Sequence, residues 1–185
     1  ANIPAFLHLD YTFATNANLA AVGSYTILAT ATKAGDAVTI NNSFQNVYKQ
    51  LDNQPITNAQ LPWIDNLEST PGQTVTENQM GLTGNDRYDF LKSSTDGRLR
   101  SYINSGIAYS GSKAITLDVS KYISGGNINS LTATFNLSAF NIASDDIRID
   151  FRYKNHNQQP NSANQLWIRG SDMSSWIPVY DLYAN

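Results

Sequence analysis

Leu131, Ala133, Phe135 and Leu137 alternate with Thr132, Thr134, Asn136 and Ser138. Ile147, Ile149, Phe151 and Tyr153 alternate in the same way with Arg148, Asp150, Arg152 and Lys154. A repeat of two puts each set on its own face of a pleated backbone, so both segments predict half-buried strands, the second being the clearest in the chain. Leu7, Leu9, Tyr11 and Phe13 follow the same rule against His8, Asp10 and Thr12. Residues 23–32 (GSYTILATAT) are rich in β-branched and aromatic side chains and predict another strand. A Gly35-Asp36 turn separates it from a less regular strand over 37–48. Residues 113–119, 165–169 and 176–182 complete the set, with Gly, Asn and Ser clusters at 110–112, 124–129 and 155–164 as punctuation. No long stretch carries the 3.6 period and caps of a helix. Short strands joined by turns predict an all-β protein of the sandwich or jelly-roll kind. A polar stretch over 49–60 holds Asn53, Pro55 and Asn58, and 51–60 within it reads as a linker.

Composition narrows the function classes. The 185 residues suit one domain or two small ones, and 41% hydrophobic content is enough for a packed core. Only 15% of residues are charged and the formal net charge is −3, with Lys and Arg scattered rather than clustered. Phosphate-driven binding needs a basic patch, so a nucleic-acid partner is not expected. Cysteine is absent, which for a secreted chain suggests bacterial origin or a fold that stands on its core alone. No apolar run approaches the roughly 20 residues that span a bilayer. The opening Ala1-Asn2-Ile3-Pro4 lacks Met and a charged leader, so the start reads as processed or excised.

Catalytic chemistry finds little support. The two histidines, His8 in a strand pattern and His156 in a polar loop, lack the paired spacing of a metal site. A Ser–His–Asp triad would need one of them, and no Gly-x-Ser-x-Gly elbow is present. Glu68 and Glu77 are the only glutamates and stand apart, although glycoside hydrolysis needs two carboxyl groups about 5–10 Å from each other. The chain is therefore read as a non-enzyme.

Two segments carry a family resemblance. Leu19-Ala20-Ala21-Val22-Gly23-Ser24-Tyr25 is similar to the turn entering strand F of bacterial immunoglobulin-like domains, where a Tyr hydroxyl bonds back to the backbone. Residues 1–50 then resemble the last strands of such a domain, and the resemblance makes Tyr25 structural. The second likeness is carried by Asp65-Asn66-Leu67-Glu68, Asp86-Arg87-Tyr88-Asp89-Phe90 and the run from Ser110 to Asp118. Asp146 to Phe151, Gln165 to Asp172 and the closing Trp176-Ile177-Pro178-Val179-Tyr180 continue it. In this order, residues 61–185 resemble the MAM-like, concanavalin-like jelly rolls of Bacteroidetes surface proteins. Such domains usually add strands after the Trp-x-x-Val-Tyr segment. The expected architecture is thus a jelly-roll sandwich preceded by part of an immunoglobulin-like one.

The likeness implies an extracellular or cell-surface location, export by the type IX system, and adhesion or scaffolding within a large multidomain protein. A carbohydrate-binding module of a secreted hydrolase is the alternative. Jelly rolls of this type often hold a structural Ca²⁺, for which Asp65, Glu68, Asp118 and Asp150 are the candidate ligands, with Asp145 and Asp146 nearby. Turn capping is the simpler role for the Asp145-Asp146 pair. Trp167 and Trp176 are expected in the core, whereas Trp63 after Pro62 is open to ligand stacking. The sequons at Asn41 and Asn136 carry little meaning in a bacterial chain. Phe6, Leu7, Leu9, Tyr11 and Phe13, with Trp176 and Tyr180, form apolar faces at the two ends of the sequence. The rest of a parent chain, neighbouring copies or another protein is expected to cover them.

Overall fold

The structure is a computed structural model that describes residues 10–82, 85–103, 107–121, 126–155 and 163–183. It is nearly all β, with two short 3-10 turns, Thr39–Asn41 and Asn58–Gln60, and no α-helix among the described residues. The chain forms two compact units, Ala1–Ser144 and Asp145–Asn185. The division falls between Ser144 and Asp145.

The first unit begins with a hairpin of β1 (Gly23–Thr30) and β2 (Ser43–Gln50), paired antiparallel from Gly23 opposite Gln50 to Thr30 opposite Ser43. Two three-stranded antiparallel sheets follow. One orders β3 (Gln73–Val75), β6 (Gly97–Ile103) and β7 (Lys113–Val119); the other orders β4 (Gln79–Leu82), β5 (Asn85–Lys92) and β8 (Asn129–Ala133). Val75 lies opposite Leu99 in the first sheet, and Phe90 opposite Leu131 in the second. Phe90 and Leu99 are fully buried and share one cluster with Val75 and Leu82, closed by Leu67, Tyr88, Ile115 and Leu131. The two sheets therefore face each other across this core, which is a sandwich.

The link between β5 and β6 carries the chain from one sheet to the other in four residues, 93–96. That tightness explains Gly97. A Cβ there would sit 2.4 Å from Asn129 Oδ1, 2.6 Å from Asn127 Oδ1 and 2.9 Å from Lys92 Cβ. Asn127 Oδ1 accepts from Ser94 Oγ and Asn129 Nδ2 donates to the Asp118 carbonyl, so both amides are fixed by the strands around the link. Only hydrogen fits on that side of the residue 97 Cα.

Several strand expectations are met: β1 lies within 23–32, β7 falls on 113–119, and the expectations at 165–169 and 176–182 hold the strands β9 (Gln165–Ile168) and β10 (Ile177–Asp181). The strand read over 37–48 is displaced, because Thr39–Asn41 turns tightly and pairing starts at Ser43. The alternation from Leu131 outlasts its strand: after Ala133 the chain leaves β5 and Asn136 bridges Pro55 instead. Residues 147–154 are the main correction. They keep their alternation yet belong to no ladder with a described strand. Alternation makes a strand possible, and a neighbouring backbone has to complete it. Of the opening alternation, Tyr11 and Phe13 are not in a strand, and Leu7 and Leu9 lie outside the described residues.

The second unit contains the antiparallel hairpin of β9 (Gln165–Ile168) and β10 (Ile177–Asp181), with an irregular register between Pro178 and Tyr180. If the sandwich stands on its small core, Leu99→Ala should lower stability by about 2–5 kcal/mol. Ile142→Ala, at a fully exposed position, should stay within about 0.5 kcal/mol of the parent. Urea unfolding of both variants measures the contrast, and equal losses would remove Leu99 from the core.

Candidate functional site

Charged side chains hold the first unit together at three places, and each begins in a local sequence feature. The loop before β3 opens with Asp65, whose Oδ1 accepts the Leu67 amide at 2.8 Å, while Asn66 Oδ1 accepts the Glu68 amide at 3.2 Å. These two short turns accompany a left-handed Leu67 at φ 63°, a conformation that disfavours a branched side chain. Leu67 is held there by packing on the core and by its carbonyl, which accepts the Thr70 amide at 3.1 Å. The other Asp65 oxygen accepts the Tyr88 hydroxyl at 2.9 Å. Burial, reinforced by the Asp65 charge, pushes the Tyr88 phenol well above its ordinary range.

The same turn delivers Glu68 to the loop before β7. Glu68 Oε1 accepts the backbone amides of Ser112 at 2.8 Å and Lys113 at 2.9 Å, and Oε2 accepts the Ser112 hydroxyl at 2.6 Å. Lys113 Nζ closes the ring by donating to the Glu68 carbonyl at 2.8 Å and to the Thr70 carbonyl. Gly111 completes the cradle. It is left-handed at φ 67°, and a Cβ there would fall 2.4 Å from Glu68 Oε1. The Ser112 hydroxyl above all, with the two amides, holds the Glu68 carboxyl below its ordinary value of 4.5.

Arg87 is the second anchor and is almost completely buried, at 7% exposure. It donates to the Gln54 carbonyl at 3.0 Å and the Thr134 carbonyl at 3.4 Å, and it pairs with Asp52 at 3.3 Å. Around it Asp52 N donates to the Asp86 carbonyl, Ile56 N to the Asn136 carbonyl, and Asn136 Nδ2 to the Asn53 carbonyl. Lys49 pairs with Asp89 on the same strand. The polar stretch read as a linker is thus bonded to β5 and to the chain beyond β8, and Ile56 within it is buried. On the other sheet, Asp118 accepts from Arg98 Nε at 2.7 Å and also from Arg100, fastening β6 to β7.

The sequence-predicted calcium ligands take separate roles. Asp65 and Glu68 share one turn but serve Tyr88 and the Ser112–Lys113 amides, Asp118 serves two arginines, and Asp150 belongs to the second unit. A cation on Glu68 would have to displace three donors. Among the described residues no group of three or more His, Cys, Asp or Glu is gathered that could hold a metal ion. Within the first unit, Asp65, Glu68 and Asp118 are thus not gathered at one point. Asp146 pairs with Arg148 at 2.8 Å instead.

Trp63 packs edge-on against Phe135, with ring centroids 5.1 Å apart, and is half-buried rather than displayed. Tyr11 and Phe13 are exposed and meet edge-to-face at 5.0 Å; Phe6 and His8 lie outside the described residues, as does His156. Tyr25 Oη donates to the Ala21 carbonyl at 2.6 Å, the backbone-closing bond expected of it. Trp167 and Trp176 depart from expectation: both are over 40% exposed. A two-stranded hairpin supplies no second layer to bury them. Trp176 is covered on one side by Arg169, whose guanidinium lies 4.6 Å from the ring centroid, and Tyr180 meets Tyr153 at 6.2 Å.

Sequence reasoning missed the roles of Arg87, Lys113, Gly97 and Gly111. The available signals were slight: Arg87 stands within an acidic run between Asp86 and Asp89, Gly97 opens β6, and Gly111 lies two residues before β7. Compared with known proteins, the chain matches no family model, no curated protein and no solved structure.

Because Glu68 is lowered on folding, its contribution is complete above 4.5 and fades as pH falls through its folded value. Glu68→Gln should therefore lower Tm at neutral pH and flatten the loss of Tm below pH 4.5. Thermal melts across that range decide it: an acid slope identical to wild type would show that the cradle is not linked to folding.

Proposed function

We propose that the chain is a non-catalytic, extracellular structural or adhesive segment of a larger surface or secreted protein, whose sheets are completed by neighbouring polypeptide. One observation carries this reading: both hairpins present apolar faces to solvent. Ile27, Phe44 and Tyr48 are exposed on one face of β1–β2, where Tyr48 pairs with the half-buried Tyr25 and Phe44 with Ala29. In β9–β10, Trp167 opposes Pro178 on one face, and Ile168 opposes Ile177 on the other. A two-stranded ribbon is marginal in water, and apolar surface concentrated on it marks an interaction site. The buried and half-buried charges of the first unit support the same view, since Glu68, Arg87 and Asp118 are engaged in fastening strands rather than aimed into a cleft.

The MAM-like and immunoglobulin-like resemblance favours a modular surface protein, and the Tyr25 bond agrees with the second part of it. Fold likeness alone does not determine what is bound. Exposed Trp167 and Trp176 favour the second reading, a carbohydrate-binding module, because indole faces stack on sugar rings. No helix among the described residues is long and apolar enough to cross a membrane.

Beads coated with residues 1–185 test the reading. They should cluster with one another or adhere to bacterial surface material, with no turnover of polysaccharide or peptide substrates. Saturable glycan binding lost in Trp167→Ala and Trp176→Ala would transfer the function to sugar recognition. Inert beads together with measurable hydrolysis would overturn both readings.

A further inference from the structure

The segment 145–154 of the second unit joins no ladder with a described strand, yet its side chains keep the two-residue spacing of one. Phe151 and Tyr153 place their rings 5.9 Å apart, and Arg148 reaches Asp146 from the other set, at 2.8 Å. Each contact joins residues two apart, as on one face of a strand. The apolar set is open to solvent, Ile149 by 65% and Phe151 by 43%. The Arg148–Asp146 pair is itself exposed, and such pairs exchange partners at little cost.

We infer that this segment pairs with the same segment of a second copy, antiparallel and centred on Ile149. The inference rests on the reading of the chain as a sheet-completing segment and adds the partner and the register. Residues directly opposite in an antiparallel pair share a face, so a two-fold axis must pass at a residue for the apolar and charged sets to stay separate. Centring on Ile149 puts Arg148 opposite Asp150, Asp146 opposite Arg152, and Ile147 opposite Phe151. Symmetry makes each match twice, so all four charged contacts are between opposite signs. Moving the centre to Arg148 sets Asp146 against Asp150, and moving it to Asp150 sets Arg148 against Arg152. A centre at Phe151 opposes Arg148 to Lys154. Parallel, in-register stacking is worse, because every charge would face its own kind. A centre at Ile147 opposes Asp146 to Arg148 but leaves Asp150 and Arg152 opposite Ser144 and Ile142, so it makes half as many charge matches. The charge order along one strand therefore favours the antiparallel direction and the Ile149 register over the others. The Arg148–Asp146 pairing within a single copy becomes Arg148–Asp150 and Asp146–Arg152 between copies.

Charge reversal provides the test, read by light scattering on the full chain of 20.3 kDa. Wild type should show twice the chain mass, rising with concentration. Arg148→Asp opposes two aspartates and Asp150→Arg opposes two arginines, so each variant alone should stay at single-chain mass. Mixed in equal amounts, the two variants regain opposite charges at every contact and should return to twice the chain mass. That recovery separates a lost interface from a lost fold. An Ile149→Cys chain, whose cysteine is the only one present, should form a disulfide dimer on oxidation, since opposite Cα atoms lie about 4.5–5.5 Å apart. A monomeric wild type, a dimer indifferent to either reversal, or a mixture that fails to recover would overturn the register. Beads that cluster regardless of these substitutions would leave the adhesive reading standing without it.

Discussion

Arg87 is a guanidinium almost removed from water, and the first unit is arranged around satisfying it. The cost of desolvating a charge is offset only where its donors find well-placed acceptors. Arg87 finds three partners on two segments that are distant in sequence: Asp52 and Gln54 before the sandwich, and Thr134 after β8. Removing the guanidinium would take the donor away from the Gln54 and Thr134 carbonyls and leave a void beside them. The polar stretch at 51–60 is therefore held by this network. It is fastened to β5, and through Lys49 and Asp89 it carries the end of the β1–β2 hairpin with it.

The rest of the first unit repeats this logic with smaller pieces. The apolar core is slight, five buried apolar side chains among the described residues, so charged clasps at the strand ends carry a larger share of the specification. Glu68 ties the entry of β3 to the entry of β7, and Asp118 ties β6 to β7. Each clasp depends on a backbone that only certain residues allow, such as the left-handed Gly111 under the Glu68 carboxylate. Carboxylates that look like metal ligands in the sequence turn out to accept protein N–H and O–H groups.

This explains what could and could not be read in advance. The all-β class was legible because β1, β7, β9 and β10 announce themselves through β-branched and aromatic runs or turn residues at their ends. The central strands β5 and β6 were not, since Tyr88 and Phe90 in one and Leu99 in the other are the main apolar residues facing inward, amid Arg, Asp and Ser. A strand two or three apolar residues deep gives too short a period to register. Residues 147–154 show the opposite error, a strong pattern with no ladder, because pairing is a property of two segments. Tyr25 was legible because its role is local, four residues back to Ala21. Arg87 was not, because its partners lie 33 and 47 residues away.

The picture that emerges is a clasped sandwich bearing one two-stranded hairpin, and a second unit whose hairpin and alternating segment are open. Stability should then be uneven along the chain, high where Phe90 and Leu99 meet and low where apolar faces lack a second layer. Native-state amide hydrogen exchange on the isolated 185-residue chain measures that distribution directly. The account predicts that amides of β5 and β6 exchange only through global unfolding, while those of β1–β2 and β9–β10 exchange through local opening at much lower free energy. Hairpin amides protected to the same free energy as Phe90 and Leu99 would contradict it, showing that the chain completes its own sheets.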